Sequence, residues 1–142
     1  MNQIKFYKSN DPYGFLNNFY PAKMFIYGYW WNHVEGPYQY CKTDVIEGEV
    51  ILKAKSPREA RDLGQKVSLR PDWESVKNKV MKQCLIAKFT QNKDLLESLI
   101  NTGNAELIED SPIDYYWGCG KDGSGQNNLG KLLMKVRDLL KE

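Results

Sequence analysis

Two acidic residues stand out for the company they keep. Asp114 lies three residues before Trp117, with glycines following at 118, 120, 123 and 125 before an apolar helical pattern begins. Glu35 closes an aromatic stretch, and Glu35, Gln39 and Lys42 are spaced four and three apart, so a helix would carry all three on one face. Two carboxylates from distant parts of a chain, with tryptophans beside them, suit the cleavage of a glycosidic bond. Such cleavage builds positive charge on the sugar carbon and ring oxygen. An anion stabilises that charge, and a carboxylate can orient or deprotonate the attacking water. If the leaving group is a base, Trp73 or Trp117 offers a stacking surface worth about 1–3 kcal/mol. The glycine-rich run after Trp117, Gly118 and Gly120 included, lets backbone approach a ligand closely, and amides leading into a helix start can receive an anion. The plainer alternatives are a helix-start acid favoured by the dipole at Glu35, a glycine-rich turn at 118–125, and a core tryptophan at Trp73, which lies on an apolar stripe.

Composition narrows the chemistry. A formal charge of +2 over 142 residues excludes bulk attraction to a phosphate backbone, so any nucleic-acid contact must be local. One local candidate is the run in which Lys53, Lys55, Arg58, Arg61, Lys66 and Arg70 face Glu59 and Asp62; its simpler reading is a solvated helical face. Cys41, Cys84 and Cys119 are odd in number and lack C-x-x-C spacing, which indicates neither disulfides nor zinc. His33 is the sole histidine, so a histidine-rich metal centre and a Ser-His-Asp relay both lack material unless His33 serves. No metal or cofactor is expected. The N-terminal residues have no apolar signal region, and no run approaches the roughly 20 apolar residues of a membrane span. The expectation is a soluble, cytoplasmic protein without membrane partners.

The elements that must position these residues follow from periodicity. Residues 4–7 alternate as a short strand, and Met24 to Trp31 reads as a hairpin turning near Tyr27-Gly28. Between them lies an aromatic, amide-rich loop bounded by Pro12 and Pro21, whose Tyr13 and Asn18 would either wall a ligand or cap the core. From Glu35 the pattern turns helical. Ser56-Pro57-Arg58-Glu59 marks a helix start that should run to about Gly64. Trp73, Val76, Val80, Cys84 and Ala87 form one stripe on a helix ending near Thr90, and Asn92 is placed to cap the next, which Gly103 ends. Residues 105–109 add a strand, and Leu129, Leu132, Leu133, Val136 and Leu140 share one face of the last helix. The reading is one α+β domain over residues 1–142, mostly helical, with a small antiparallel sheet contributed mainly by the N-terminal part.

Taken in order, these residues resemble the NADAR superfamily, which includes bacterial N-glycosidases of riboflavin-biosynthesis intermediates. In the first half the resemblance rests on Phe6-Tyr7, Tyr13-Gly14, Asn18-Phe19, Trp31, Val34-Glu35 and Tyr38-Gln39. In the second half it rests on Arg58-Glu59-Ala60, Leu63-Gly64, Leu69 to Trp73, Val80-Met81, Ala87-Lys88-Phe89, Leu107-Ile108-Glu109, Asp114 with Trp117-Gly118, and Asn127 with Leu129-Gly130. The resemblance implies hydrolysis of an N-glycosidic bond to ribose without metal or redox cofactor. Glu35 matches the family's essential glutamate, and Asp114, Trp117 and Gly118 match its Asp-x-x-Trp-Gly element. On that footing Glu35 stabilises the ribosyl cation or positions water, Asp114 binds ribose hydroxyls or assists with water, and Trp117 walls the pocket. Lys42, Arg70, Lys88 and the glycine-rich amides are the phosphate candidates, with Gln39, Asn18, Tyr13 and Asn127 as further contacts. The implied substrate is ADP-ribose on a base, with guanine in DNA preferred. The alternatives are phosphorylated riboflavin intermediates, or a non-catalytic module that binds ADP-ribose or another NAD-derived nucleotide. One departure is Gly36-Pro37 directly after the glutamate, where proline restricts both itself and its predecessor and is expected to reshape the helix start.

Overall fold

The computed structural model describes residues 2–141. Its elements, in chain order, are β1 (Gln3–Phe6), β2 (Met24–Ile26), β3 (Tyr29–Trp31), α1 (Glu35–Tyr40), α2 (Val45–Leu52), α3 (Pro57–Gly64), α4 (Trp73–Thr90), α5 (Lys93–Ile100), β4 (Glu106–Glu109) and α6 (Asn128–Leu140). The β2–β3 hairpin is antiparallel and pairs Met24 with Trp31; Tyr27 and Gly28 both take positive φ, 56° and 84°, as a tight turn between twisted strands requires. β1 departs from the expected antiparallel sheet. It pairs in parallel with β4, Ile4 opposite Leu107 and Phe6 opposite Glu109, because residues 7–105 make a long crossover between the two strands. This pairing carries the end of β4, and the loop containing Asp114, alongside the loop that follows β1.

The helices form where the sequence marks them, with local differences. Ser56 Oγ accepts the Glu59 amide at 3.0 Å, and Glu59 Oε1 reaches back to the Lys55 amide at 2.5 Å. The helical region after Glu35 is two helices: the chain turns at residues 41–44, and Asp44 Oδ1 caps α2 by accepting the Glu47 amide at 2.9 Å. Asn92 stands at the start of α5 but does not cap it. Its Nδ2 donates instead to the carbonyls of Lys23 and Lys88, both about 3 Å away, tying α4 to the segment before β2.

α4 is the spine. Its buried face carries Trp73, Val80, Met81, Cys84, Leu85 and Phe89, and it packs on α6, α5, α1 and β2. Phe6, Leu16, Met24, Leu107 and Leu133 complete the core, each stabilising the fold by about 1.5–3 kcal/mol through removal of apolar surface from water. Around the N-terminal part of this spine, α1 packs against both α2 and α3. That contact sets Glu35 and Gln39 against the cations of α3.

Candidate active site

A cavity of about 570 Å³ opens between α1, α3, the loops following β1 and β4, and residues 17–19. That volume lies within the range typical of small-molecule sites. Glu35, Gln39 and Lys42 line it together from α1 and its C-terminal end, as their spacing predicts, and Asp114 and Trp117 line it from the loop after β4. Asn18 also reaches it.

Glu35 is not an exposed helix-start acid. It is 7% exposed, and its Oε2 accepts a hydrogen bond of 2.5 Å from Gln39 Nε2. Burial pushes its carboxyl above the usual range; Gln39, Lys42 and Arg61 oppose that push, and Asp114 adds to it. The Gly36-Pro37 pair does not break the helix start. Pro37 falls in the first turn of α1, where an amide N–H has no intrahelical partner to lose, and the Gly36 amide donates to His33 Nδ1 at 3.0 Å. His33 is thereby a capping group, outside the residues that line the cavity.

Gln39 is positioned by an absence. A Cβ on Gly64 of α3 would stand 2.0 Å from Gln39 Oε1, so glycine there lets the amide lie between the helices. Asp114 is held by its own turn: Oδ1 accepts the amides of Tyr116 at 3.0 Å and Trp117 at 2.7 Å. Trp117 meets Tyr38 edge-on, with ring centroids 5.7 Å apart at 88°. Lys42 lies 5.7 Å from the Tyr38 ring centroid, its pKa lowered by burial although Glu35 acts in the other direction.

Other expected contacts lie elsewhere. Trp73 is 4% exposed in the core and reaches the site only through Tyr38, its ring 5.3 Å from that residue's, because it lies on the buried stripe of α4. Arg70 is outside the cavity, paired with Asp72 at 2.6 Å. Lys88 is fully buried and donates to the carbonyls of Phe15 at 2.6 Å and Asn17 at 3.2 Å, so it fastens the loop that presents Asn18. Tyr13 borders a separate, open depression beside β1 and Thr102. Most amides of the glycine-rich run are already engaged within the protein, with those of Gly118 and Gly120 among the exceptions. Cys119 and Gly125 donate to Glu109 and Cys119 carbonyls, Asn127 to Gly118, and the first amides of α6 to Tyr116 and Trp117. Gly120 packs on the Tyr115 ring, and Asn127 bridges β4 to α6 rather than facing the cavity.

Four charged residues join the site beyond the sequence-based candidates for it. Arg58 and Arg61 line the cavity from α3, three residues apart on one helical face, a spacing legible in the basic run. Glu109 lines it from the end of β4, in contact range of Gly118: a Cβ there would stand 2.6 Å from Glu109 Oε2. Lys8 adds a further cation at the rim. The cavity therefore combines three carboxylates with four cations.

A family model for the NADAR domain matches residues 5–141. The chain belongs to the NADAR family. Among its relatives, the N-glycosidase Npun_R5314 of Nostoc punctiforme is 40% identical over 95% of this chain and 90% of its own length. The riboflavin biosynthesis protein VVA0006 of Vibrio vulnificus is 39% identical over 98% of this chain, which spans 39% of that larger protein. The NADAR chain also superposes on the NMR structure of Escherichia coli YbiA with a TM-score of 0.90 at 39% identity, over 98% of this chain and 84% of that one. Among the described residues, no helix of this NADAR protein is long and apolar enough to cross a membrane.

Proposed function

We propose that this NADAR-family chain is a hydrolase of N-glycosyl bonds that acts on a ribosyl group joined to a nitrogenous base and carrying phosphate. The observation that carries the reading is Glu35: a buried carboxylate held by Gln39 beside Asp114, with Lys42 and Arg61 near enough to act on its charge. As the bond between C1′ and nitrogen breaks, positive charge develops on the sugar, and Glu35 lies in a water-poor setting where an anion stabilises that charge strongly. Either Glu35 or Asp114 takes a proton from the attacking water. The raised affinity of Glu35 for protons suits it to that role. Trp117 and Tyr38 wall the base, and Lys42, Arg58 and Arg61 receive phosphate.

Relatives named N-glycosidase and riboflavin biosynthesis protein support this reaction class and favour a small phosphorylated ribosyl compound as substrate. A second reading, removal of ADP-ribose from guanine in DNA, is favoured by the exposed Lys53, Lys55 and Lys66 that flank Arg58 and Arg61 around α3. A base embedded in a strand needs such a continuation of positive charge, and a free metabolite does not.

Purified protein should be incubated in parallel with a ribosylamino-pyrimidine phosphate and with an ADP-ribosylated guanine oligonucleotide, and the released base and sugar followed chromatographically. Turnover of the small compound that changes little with salt supports the first reading. Faster turnover of the oligonucleotide, falling steeply with salt, transfers support to the second. Tight binding of ADP-ribose with no release from either compound would contradict both and leave a binding module.

A further inference from the structure

Glu109 ends β4, and Asn127 fixes its backbone there. Asn127 Oδ1 accepts the Glu109 amide at 2.9 Å while its Nδ2 donates to the Leu107 carbonyl at 3.0 Å. The side chain enters the cavity through the space that Gly118 leaves. Glu109 Oε2 accepts the Ser111 amide at 2.7 Å, and among the described residues Oε1 has no hydrogen-bond partner within the protein. One oxygen is pinned, and the other is free to meet a ligand.

The charges around the two glutamates differ in sign. Burial raises the Glu35 carboxyl and Asp114 adds to that, while Gln39, Lys42 and Arg61 oppose it in favour of the anion. Burial pushes the Glu109 carboxyl up to about 7, against the Ser111 amide that favours its anion and with Asp114 and Asp110 adding to the rise. From the end of β1, Tyr7 and Lys8 line the same cavity but are exposed to solvent, while the α6 side presents Asn127 and Leu129, both uncharged. Asp114 lines the same cavity and acts on both glutamates. Burial raises both carboxyls, but cations face Glu35 where acids face Glu109, and two carboxyls so differently surrounded in one cavity form the pattern of an acid–base pair.

We propose that Glu109 is the general acid of the N-glycosidase reaction, delivering its proton from Oε1 to the departing nitrogen while Glu35 remains anionic beside the sugar. This assignment rests on the N-glycosidase reading above. In the step, the bond between C1′ and nitrogen breaks with its electron pair passing to nitrogen, and the Glu109 proton joins that nitrogen. Water bonds to C1′ and yields a proton to Glu35 or Asp114, and exchange with solvent returns a proton to Glu109. The sum is one water consumed, one free ribosyl hydroxyl and one free N–H formed.

Leaving groups that need a proton can be set against one that does not. The substrates are the ribosylamino-pyrimidine phosphate and p-nitrophenyl ribofuranoside phosphate, whose phenolate departs unprotonated. Glu109→Gln is expected to lose on the order of hundredfold or more in turnover of the first and about threefold or less of the second, whereas Glu35→Gln loses both. The wild-type pH profile provides a readout that does not depend on any variant folding. For the amine-linked compound, kcat/KM should fall as pH rises past about 7, and for the nitrophenyl compound this fall should be missing. Equal losses of Glu109→Gln on both compounds, or the same alkaline fall for both in the wild type, would overturn the assignment. A wild type inactive on both compounds would instead overturn the N-glycosidase reading, and the assignment with it.

Discussion

Replacing Gly64 by alanine tests how α3 controls the chemistry of α1. The added Cβ would stand 2.0 Å from Gln39 Oε1, 2.7 Å from its Cδ and 3.1 Å from its Cβ, so rotation of the terminal amide alone does not relieve the clash. Gln39 must leave its place and surrender the 2.5 Å bond it donates to Glu35. A hydrogen bond to a charged group contributes about 1.5–3 kcal/mol and overpacking costs about 1–3 kcal/mol. Alanine's better helix propensity returns about 1 kcal/mol. The net loss is about 1.5–5 kcal/mol, which for a chain of this size lowers Tm by about 5–17 °C. Catalysis should respond in a definite direction, because losing the Gln39 donor favours protonated Glu35 and so moves the acid limb of kcat/KM to higher pH. A double-mutant cycle with Gln39→Ala, read by thermal melts and pH profiles, isolates the coupling. In the Gln39→Ala background, Gly64→Ala should be neutral or slightly stabilising. A Gly64→Ala loss of the same size in both backgrounds would refute the reasoning.

Trp117→Ala should cost about 1–3 kcal/mol in stability, less than the 3–5 kcal/mol of a fully buried tryptophan because the indole is half-buried. It should also raise the KM for substrate about tenfold; a fall in Tm with affinity unchanged would assign the indole to the core. Lys88 is pushed down from 10.5 to about 7 by burial, so between those values the unfolded chain binds a proton that the folded chain does not. Its contribution to stability therefore rises with pH across that window, and urea titrations at pH 7 and pH 10 should show a smaller rise for Lys88→Met than for the wild type. Turnover should be unchanged by EDTA, since the His33 ring is committed to the Gly36 amide and among the described residues no three metal-ligating groups converge. Loss of activity restored by one divalent ion would contradict that expectation.

The parts of this site legible in the sequence are those fixed by local periodicity. Glu35, Gln39 and Lys42 share a cavity wall because helical spacing alone aligns them. The hairpin turn and the bounds of α3 and α4 likewise follow from Tyr27-Gly28, Ser56-Pro57 and the apolar stripe from Trp73. What escaped depends on contacts between segments remote in sequence. The parallel pairing of β1 with β4 cannot be read from either strand alone, yet it carries Glu109 to the cavity. Glu109 looks like an ordinary strand-end acid until Gly118, nine residues later, is seen to make room for it. The glycine-rich run misleads in the opposite direction, because most of its amides, with those of Gly118 and Gly120 among the exceptions, are consumed by its own carbonyls and by β4. Lys88 and Trp73 were candidates by type, and helix α4 turns both into the interior.

Glu35→Gln remains the most direct test of the central claim, that a buried anion on α1 performs the chemistry. The substitution preserves size and one acceptor and removes the charge. Burial raises the Glu35 pKa, so the carboxyl supports the folded state most fully below its unfolded value and that support is lost as pH rises. The variant should therefore melt no lower than the wild type at neutral pH. Single-turnover rates on the ribosylamino-pyrimidine phosphate should fall on the order of hundredfold or more, about 2.7 kcal/mol of transition-state stabilisation, with binding of the unreacted compound retained. A folded Glu35→Gln protein that cleaves this compound at a rate close to the wild type's would contradict the account and leave Asp114 and Glu109 as the carboxylates to be tested.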